Sequence, residues 1–182
     1  DKDPYVAWVS PMESRKGPEL AVRALALTDH NIRMVMAGDG PERTRIEAIA
    51  QALGVVDRIT FVGRVPHDDA LRIIANARVA MFTGLREEGG LALAEAMLLG
   101  TPLVVLGNGG ARTIAETTTD PDRVAIVSPA DLAGTVSAFA AEVERLATSD
   151  AFDSPASRTP LIDQEAAVDA LAGFVAEAAG RD

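Results

Sequence analysis

Short apolar, β-branched runs alternate with longer amphipathic ones along most of the chain, and no other feature limits the possible folds as tightly. Tyr5 to Val9, Ile32 to Ala37, Arg58 to Val62, Val79 to Phe82, Pro102 to Leu106 and Val124 to Val127 read as strands. Between and after them, Pro18 to Leu27, Glu42 to Leu53, His67 to Ala77, Leu91 to Leu99, Ala111 to Glu116 and Pro129 to Thr148 read as helices. Proline in the first turn of the first helix and glycines after Leu53 and Leu99 punctuate the pattern as helix starts and stops do. Each strand–helix–strand step requires a right-handed crossover, so the strands run parallel. The expected architecture is therefore α/β: a three-layer, doubly wound parallel sheet of the Rossmann-like class. Strands of such a sheet are buried on both faces. A chain that is 48% hydrophobic but only 4% aromatic can fill that core with Val, Leu, Ile and Ala.

Composition also excludes several classes of function. Without cysteine there is neither a disulfide framework nor a thiolate metal site. With only His30 and His67, a multi-histidine metal centre is not expected. The formal charge of −10 argues against nucleic acid as a partner, whereas local donors and a helix terminus can still bind a phosphorylated ligand. No apolar run reaches the ~20 residues that span a bilayer. A cytoplasmic protein is expected, with peripheral membrane association of a longer parent protein left open. Ser149 to Pro160 is rich in Ser, Asp and Pro and reads as a linker between a domain over 1–148 and a terminal helix. That helix, Leu161 to Ala179, carries an apolar stripe at Ala167, Val168, Leu171, Phe174 and Val175, which must pack on something.

Doubly wound sheets bind ligands beyond the carboxyl ends of their strands, so the segments following the strands are the candidates. Ser10 to Gly17 carries Arg15 and Lys16; the lysine can place a point charge on a phosphate or simply be solvated. Glu87-Glu88-Gly89-Gly90 precedes a helix start, where free N–H groups and the helix dipole face an anion; glycine at an N-cap is also commonplace. Glu95 is the lone polar residue of Leu91 to Leu99. Such a helix is expected to be buried, and a carboxylate on it needs hydrogen-bond partners. Vicinal ribose hydroxyls would satisfy it, and so would a neighbouring loop. Gly107-Asn108-Gly109-Gly110 is either a close approach to ligand or a plain turn. His67 reads as a helix-starting residue, and no nucleophilic triad is supported.

Taken in order, these segments resemble the retaining glycosyltransferases of family 4, or group 1, which have the GT-B fold. Lys16-Gly17, Gly38-Asp39-Gly40-Pro41-Glu42 and Phe61-Val62-Gly63-Arg64-Val65 are similar to three of its motifs. Glu87 and Glu95, with seven residues between them, and Glu95-Ala96-Met97 leading to Gly100-Thr101-Pro102, resemble its paired-glutamate signature. The resemblance covers roughly Val6 to Leu146 and implies the C-terminal, donor-binding half of the GT-B fold. It implies a nucleoside diphosphate sugar as substrate, with no metal and no separate cofactor. Lys16 would hold the diphosphate, with Arg15 as a further cation. Backbone N–H groups of Gly89, Gly90 and Leu91 would cradle the phosphates. Glu95 would take the ribose, Glu87 the transferred sugar, and the backbone at Arg64 and Val65 the base. Glu87 and Lys16 are the residues it places nearest the reaction. The chain departs from the pattern at Ser10, where the family carries arginine, and at Gly89-Gly90, where it carries phenylalanine-glycine.

The expected function is sugar transfer (a hexosyltransferase) to an acceptor hydroxyl with retention. On this reading the chain is an excised domain, monomeric, inactive alone, and partnered in the full protein by an N-terminal acceptor-binding domain. Two alternatives are a degenerate, non-catalytic nucleotide-binding module and half of a nucleotide-sugar epimerase. A dinucleotide-dependent dehydrogenase is disfavoured, because Val9-Ser10-Pro11-Met12 carries no glycine-rich fingerprint.

Overall fold

The computed structural model describes residues 5–85, 90–149, 158–165, 168–169 and 172. Six strands form one sheet: β1 (Tyr5–Val9), β2 (Arg33–Ala37), β3 (Ile59–Gly63), β4 (Val79–Phe82), β5 (Leu103–Leu106) and β6 (Val124–Val127). Their spatial order is β3-β2-β1-β4-β5-β6, and every pairing is parallel. Among the described residues the helices that connect and follow them are α1 (Pro18–Leu27), α2 (Arg43–Ala52), α3 (His67–Asn76), α4 (Leu91–Leu98), α5 (Gly109–Ala115) and α6 (Leu132–Ala147). The three-layer, doubly wound α/β architecture is as the sequence predicts.

Chirality sorts the helices. The chain moves outward from β1 to β2 and β3, then reverses through β4, β5 and β6, so right-handed crossovers send the two runs to opposite faces. One face packs Leu20 and Leu25 of α1, Ile46 of α2 and Phe139 and Leu146 of α6 against the sheet. The other packs Ile74 of α3, Leu93 and Met97 of α4 and Ile114 of α5. The point of reversal lies between β1 and β4, where Val6 pairs Val79 and Ala7 pairs Ala80. β5, with all four residues buried, shows the two-sided burial that its unbroken Leu-Val-Val-Leu run predicts.

Two local readings need correction. First, α4 is not buried all round: Leu91 is 54% and Leu98 40% exposed. Helix α4 covers the sheet with Leu93, Ala94, Ala96 and Met97 only, so Glu95 stands at the boundary of its buried side, with a side chain 24% exposed. Second, the stretch read as a linker ends docked to the domain. Arg158 donates to Ala75 O at 2.9 Å and Ala77 O at 2.7 Å, the open carbonyls at the end of α3, and Leu161 and Ile162 are buried in the second face. Beyond them the backbone is helical at Gln164, Glu165, Val168, Asp169 and Ala172. Val168 is 59% exposed, and the other four residues of the predicted stripe lie outside the described residues.

Candidate functional site

The carboxyl ends of β1 and β4 open onto a narrow crevice of about 40 Å³ lined by Ser10, Lys16, Thr83, Gly84, Ala92 and Leu93, among others. The segment after β1 coils into a 3-10 turn, Ser14–Lys16, which Gly17 ends at φ +63° before Pro18 starts α1. A Cβ at Gly17 would lie 2.2 Å from the carbonyl oxygen of Thr83. Both the left-handed backbone and the close approach therefore demand glycine. Two bonds hold this turn to the loop after β4, and a third, from β1, anchors the threonine that makes one of them. The Trp8 indole donates to Thr83 Oγ1 at 2.8 Å, Thr83 Oγ1 donates to Lys16 O at 2.9 Å, and Leu85 N donates to Arg15 O at 2.7 Å. Lys16 is thus fixed by its backbone at the rim of the crevice, its side chain half-buried.

Gly90 caps α4 with φ +50°. The N–H groups that open a helix have no partner within it, and those of α4 follow directly on this turn. Glu87 and Gly89 lie outside the described residues. Arg64 is exposed and Val65 half-buried in the bend after β3. Arg15 is engaged by its own neighbour, Nε to Glu13 Oε2 at 2.7 Å. The glycine-rich segment after β5 does structural work: Asn108 Nδ2 donates to Gly84 O at 3.0 Å and Leu85 O at 3.1 Å. It ties down the far side of the same loop.

Glu95 Oε1 lies 3.2 Å from Nε2 of His67, the first residue of α3. A side chain from the second turn of α4 thus reaches the start of its neighbouring helix, just beyond β3 and two residues from Val65. The carboxylate therefore faces the carboxyl edge of the sheet. His67, read from the sequence only as a helix starter, is the residue that reading missed. The order β3-β2-β1-β4 carries α3 back across the sheet beside α4, and that adjacency is the signal that could have found it.

A larger cavity, about 580 Å³, opens on the α1–α6 side and is lined by Gly17, Pro18, Glu42, Arg45, Leu106 and Leu132, among others. Of the predicted site residues that are described, only Lys16 lines the narrow crevice and none lines this cavity. Its charges are spent on one another: Arg45 pairs with Glu42 at 2.9 Å and with Glu19. Burial alone would raise the Glu19 carboxyl, but hydrogen bonds from Arg23 and Arg45 outweigh it and hold it below its ordinary value. Among the described residues lining this cavity the one cation, Arg45, is therefore already paired. Among the described residues no three His, Asp or Glu side chains cluster as metal ligands would.

Comparison with known proteins bears on this geometry. The family model of the glycosyl transferases of group 1 matches residues 1–149. A 2-deoxystreptamine glucosyltransferase of Streptomyces kanamyceticus is 34% identical over 110 residues, covering 59% of this chain and 28% of the relative. A D-inositol 3-phosphate glycosyltransferase of Acidothermus cellulolyticus is 34% identical over 121 residues, covering 59% of this chain and 27% of the relative. The chain thus spans less than a third of the length of these curated relatives. Among solved structures, the pneumococcal O-GlcNAc transferase GtfA in complex with UDP and GlcNAc superposes with a TM-score of 0.75 at 16% identity, covering all of this chain and 37% of that one. The catalytic domain of the cholesterol-alpha-glucosyltransferase from Helicobacter pylori has a TM-score of 0.67 at 17% identity, covering 97% and 99%. The sheet and its helices match GT-B glycosyltransferase domains.

Proposed function

Because this chain belongs to the glycosyl transferases of group 1, we propose that it is the C-terminal, donor-binding half of a retaining family 4 enzyme that binds a nucleoside diphosphate sugar. The observation that carries the reading is the reach of Glu95 to the sheet's carboxyl edge beside the loop after β3, where a ribose hydroxyl pair can be accepted next to a base. Lys16 and the opened start of α4 supply the opposite charge for the diphosphate. The transferred sugar falls to Glu87. The relatives' greater length supports an acceptor-binding domain elsewhere in the parent protein, so this chain alone binds donor and transfers nothing.

In the proposed reaction the bond from the anomeric carbon to the diphosphate breaks through an oxocarbenium-like state, and the acceptor oxygen attacks from the same face. The departing phosphate takes the acceptor proton. Negative charge grows on the diphosphate, and Lys16 with the α4 N–H groups stabilises it where it develops. No protein nucleophile, metal or separate cofactor takes part. The enzyme works in the cytoplasm.

Calorimetric titration with UDP-, GDP- and ADP-sugars tests the reading. One donor class should bind, and Glu95→Gln and Lys16→Ala should each weaken it about ten- to hundredfold, as loss of a hydrogen bond to a charged group does. A second reading, a non-catalytic module, is favoured by one observation: Ser10 replaces the family arginine, and Arg15 is held by Glu13. Absence of binding to any nucleotide sugar would select it.

A further inference from the structure

The contact between His67 and Glu95 joins two helices at the edge where the donor is proposed to bind. Glu95 has three side-chain torsions, and its neighbours Ala92, Leu98 and Leu99 carry no polar group that could hold it. Among the described residues the His67 imidazole is the side chain its carboxylate meets, with Nε2 3.2 Å from Oε1. A carboxylate accepts but cannot donate, so the contact becomes a hydrogen bond when the imidazole carries its proton on Nε2. One oxygen engaged leaves Oε2 and its lone pairs for another donor pair. A carboxylate already held in place loses less rotamer freedom when a ligand arrives.

We infer that His67 is a positioning residue: it holds Glu95 by Oε1 so that Oε2 meets the ribose hydroxyls of the nucleotide. The inference rests on the donor-binding reading above. It gives His67 no contact with the reacting atoms, only with the carboxylate that recognises the nucleoside.

The test uses the full chain and whichever of UDP, GDP or ADP binds it, together with the 2′,3′-dideoxy form of that nucleotide. In the wild-type protein the ribose form should bind more tightly, and Glu95→Gln should erase most of the difference. His67→Ala should weaken the ribose form about three- to tenfold and leave the dideoxy form unchanged. His67→Gln, whose amide can still donate, should recover most of the loss. Thermal melting of each variant separates these effects from misfolding, since a folding defect lowers both affinities together. If the ribose preference depends on Glu95 but His67→Ala leaves it intact, or weakens both nucleotides equally, the positioning role is overturned and the donor site stands. If the wild-type protein shows no ribose preference, both the inference and the reading beneath it fail.

Discussion

The hydroxyl of Thr83 accepts from the Trp8 indole and donates to the carbonyl of Lys16, and Thr83 is 1% exposed. Thr83→Val would keep the shape and remove both bonds, leaving a buried indole N–H without a partner. Such an orphan costs about 1–3 kcal/mol, which for a chain of this size lowers Tm by roughly 3–10 °C. Nucleotide affinity should fall as well, because the turn carrying Lys16 loses its attachment to β4, and Thr83→Ser should restore most of both. A Thr83→Val protein that melts and binds like the wild type would show that the turn is held by other means. The residues of this site differ in how they can be read from sequence. Lys16 and Gly90 are legible because their position is local: a loop after a strand, a glycine before a helix. The contacts that join distant parts of the site are not: Trp8 reaches Thr83 across 75 positions, and His67 meets Glu95 from another helix. No spacing rule reaches that far.

At the scale of elements, strands and helices were legible wherever burial and period agree. β5 is the simplest case, an apolar run buried on every side. Periodicity misleads at α4, whose apolar residues run all round although only one side meets the sheet. Leu91, the first residue of the helix, is exposed among the described residues. α6 starts later than the apolar pattern suggests, since Asp131 caps it by accepting from Gly134 N at 2.8 Å. Pairs between elements are less legible still. Glu19 of α1 accepts from Arg23 at 2.8 Å and from Arg45 of α2, which joins two helices on one face. Because its carboxyl in the folded chain lies below the ordinary value, the folded state binds this proton less readily than the unfolded one. The stabilisation is complete above about pH 4.3, the ordinary glutamate value, and is lost as pH falls through the lower folded value. Urea unfolding of wild-type and Glu19→Gln proteins should therefore show a gap in stability at neutral pH that closes in acid. A gap of constant size would mean that the two arginines do not stabilise the charged form.

For the molecule as a whole, the match to the family ends at residue 149, yet the core does not close there. On the face built from α3, α4 and α5, Leu161 is 0% and Ile162 2% exposed. Leu161 N donates to Met97 O at 2.7 Å, and Leu161 O accepts from Thr119 N at 2.7 Å. Arg158 completes the face by donating to the carbonyls that end α3, although burial, and then the nearby Arg123 and Arg78, make its charge costly and lower its pKa. A helix end supplies the partial negative charge that makes such burial tolerable. Burying two aliphatic side chains contributes about 3–6 kcal/mol, a large part of the ~5–15 kcal/mol that a domain commands in total. A chain ending at residue 149 should consequently melt at least ~10 °C below the full chain or fail to fold cooperatively. Arg158→Ala in the full chain should lower the urea midpoint by about 2 kcal/mol equivalent with little change in m, since it removes hydrogen bonds and exposes little new surface. If the shortened chain unfolds at the same temperature as the full one, residues 158–162 only decorate the domain. If it unfolds early while Arg158→Ala is neutral, the two aliphatic side chains hold the segment and the arginine merely follows them.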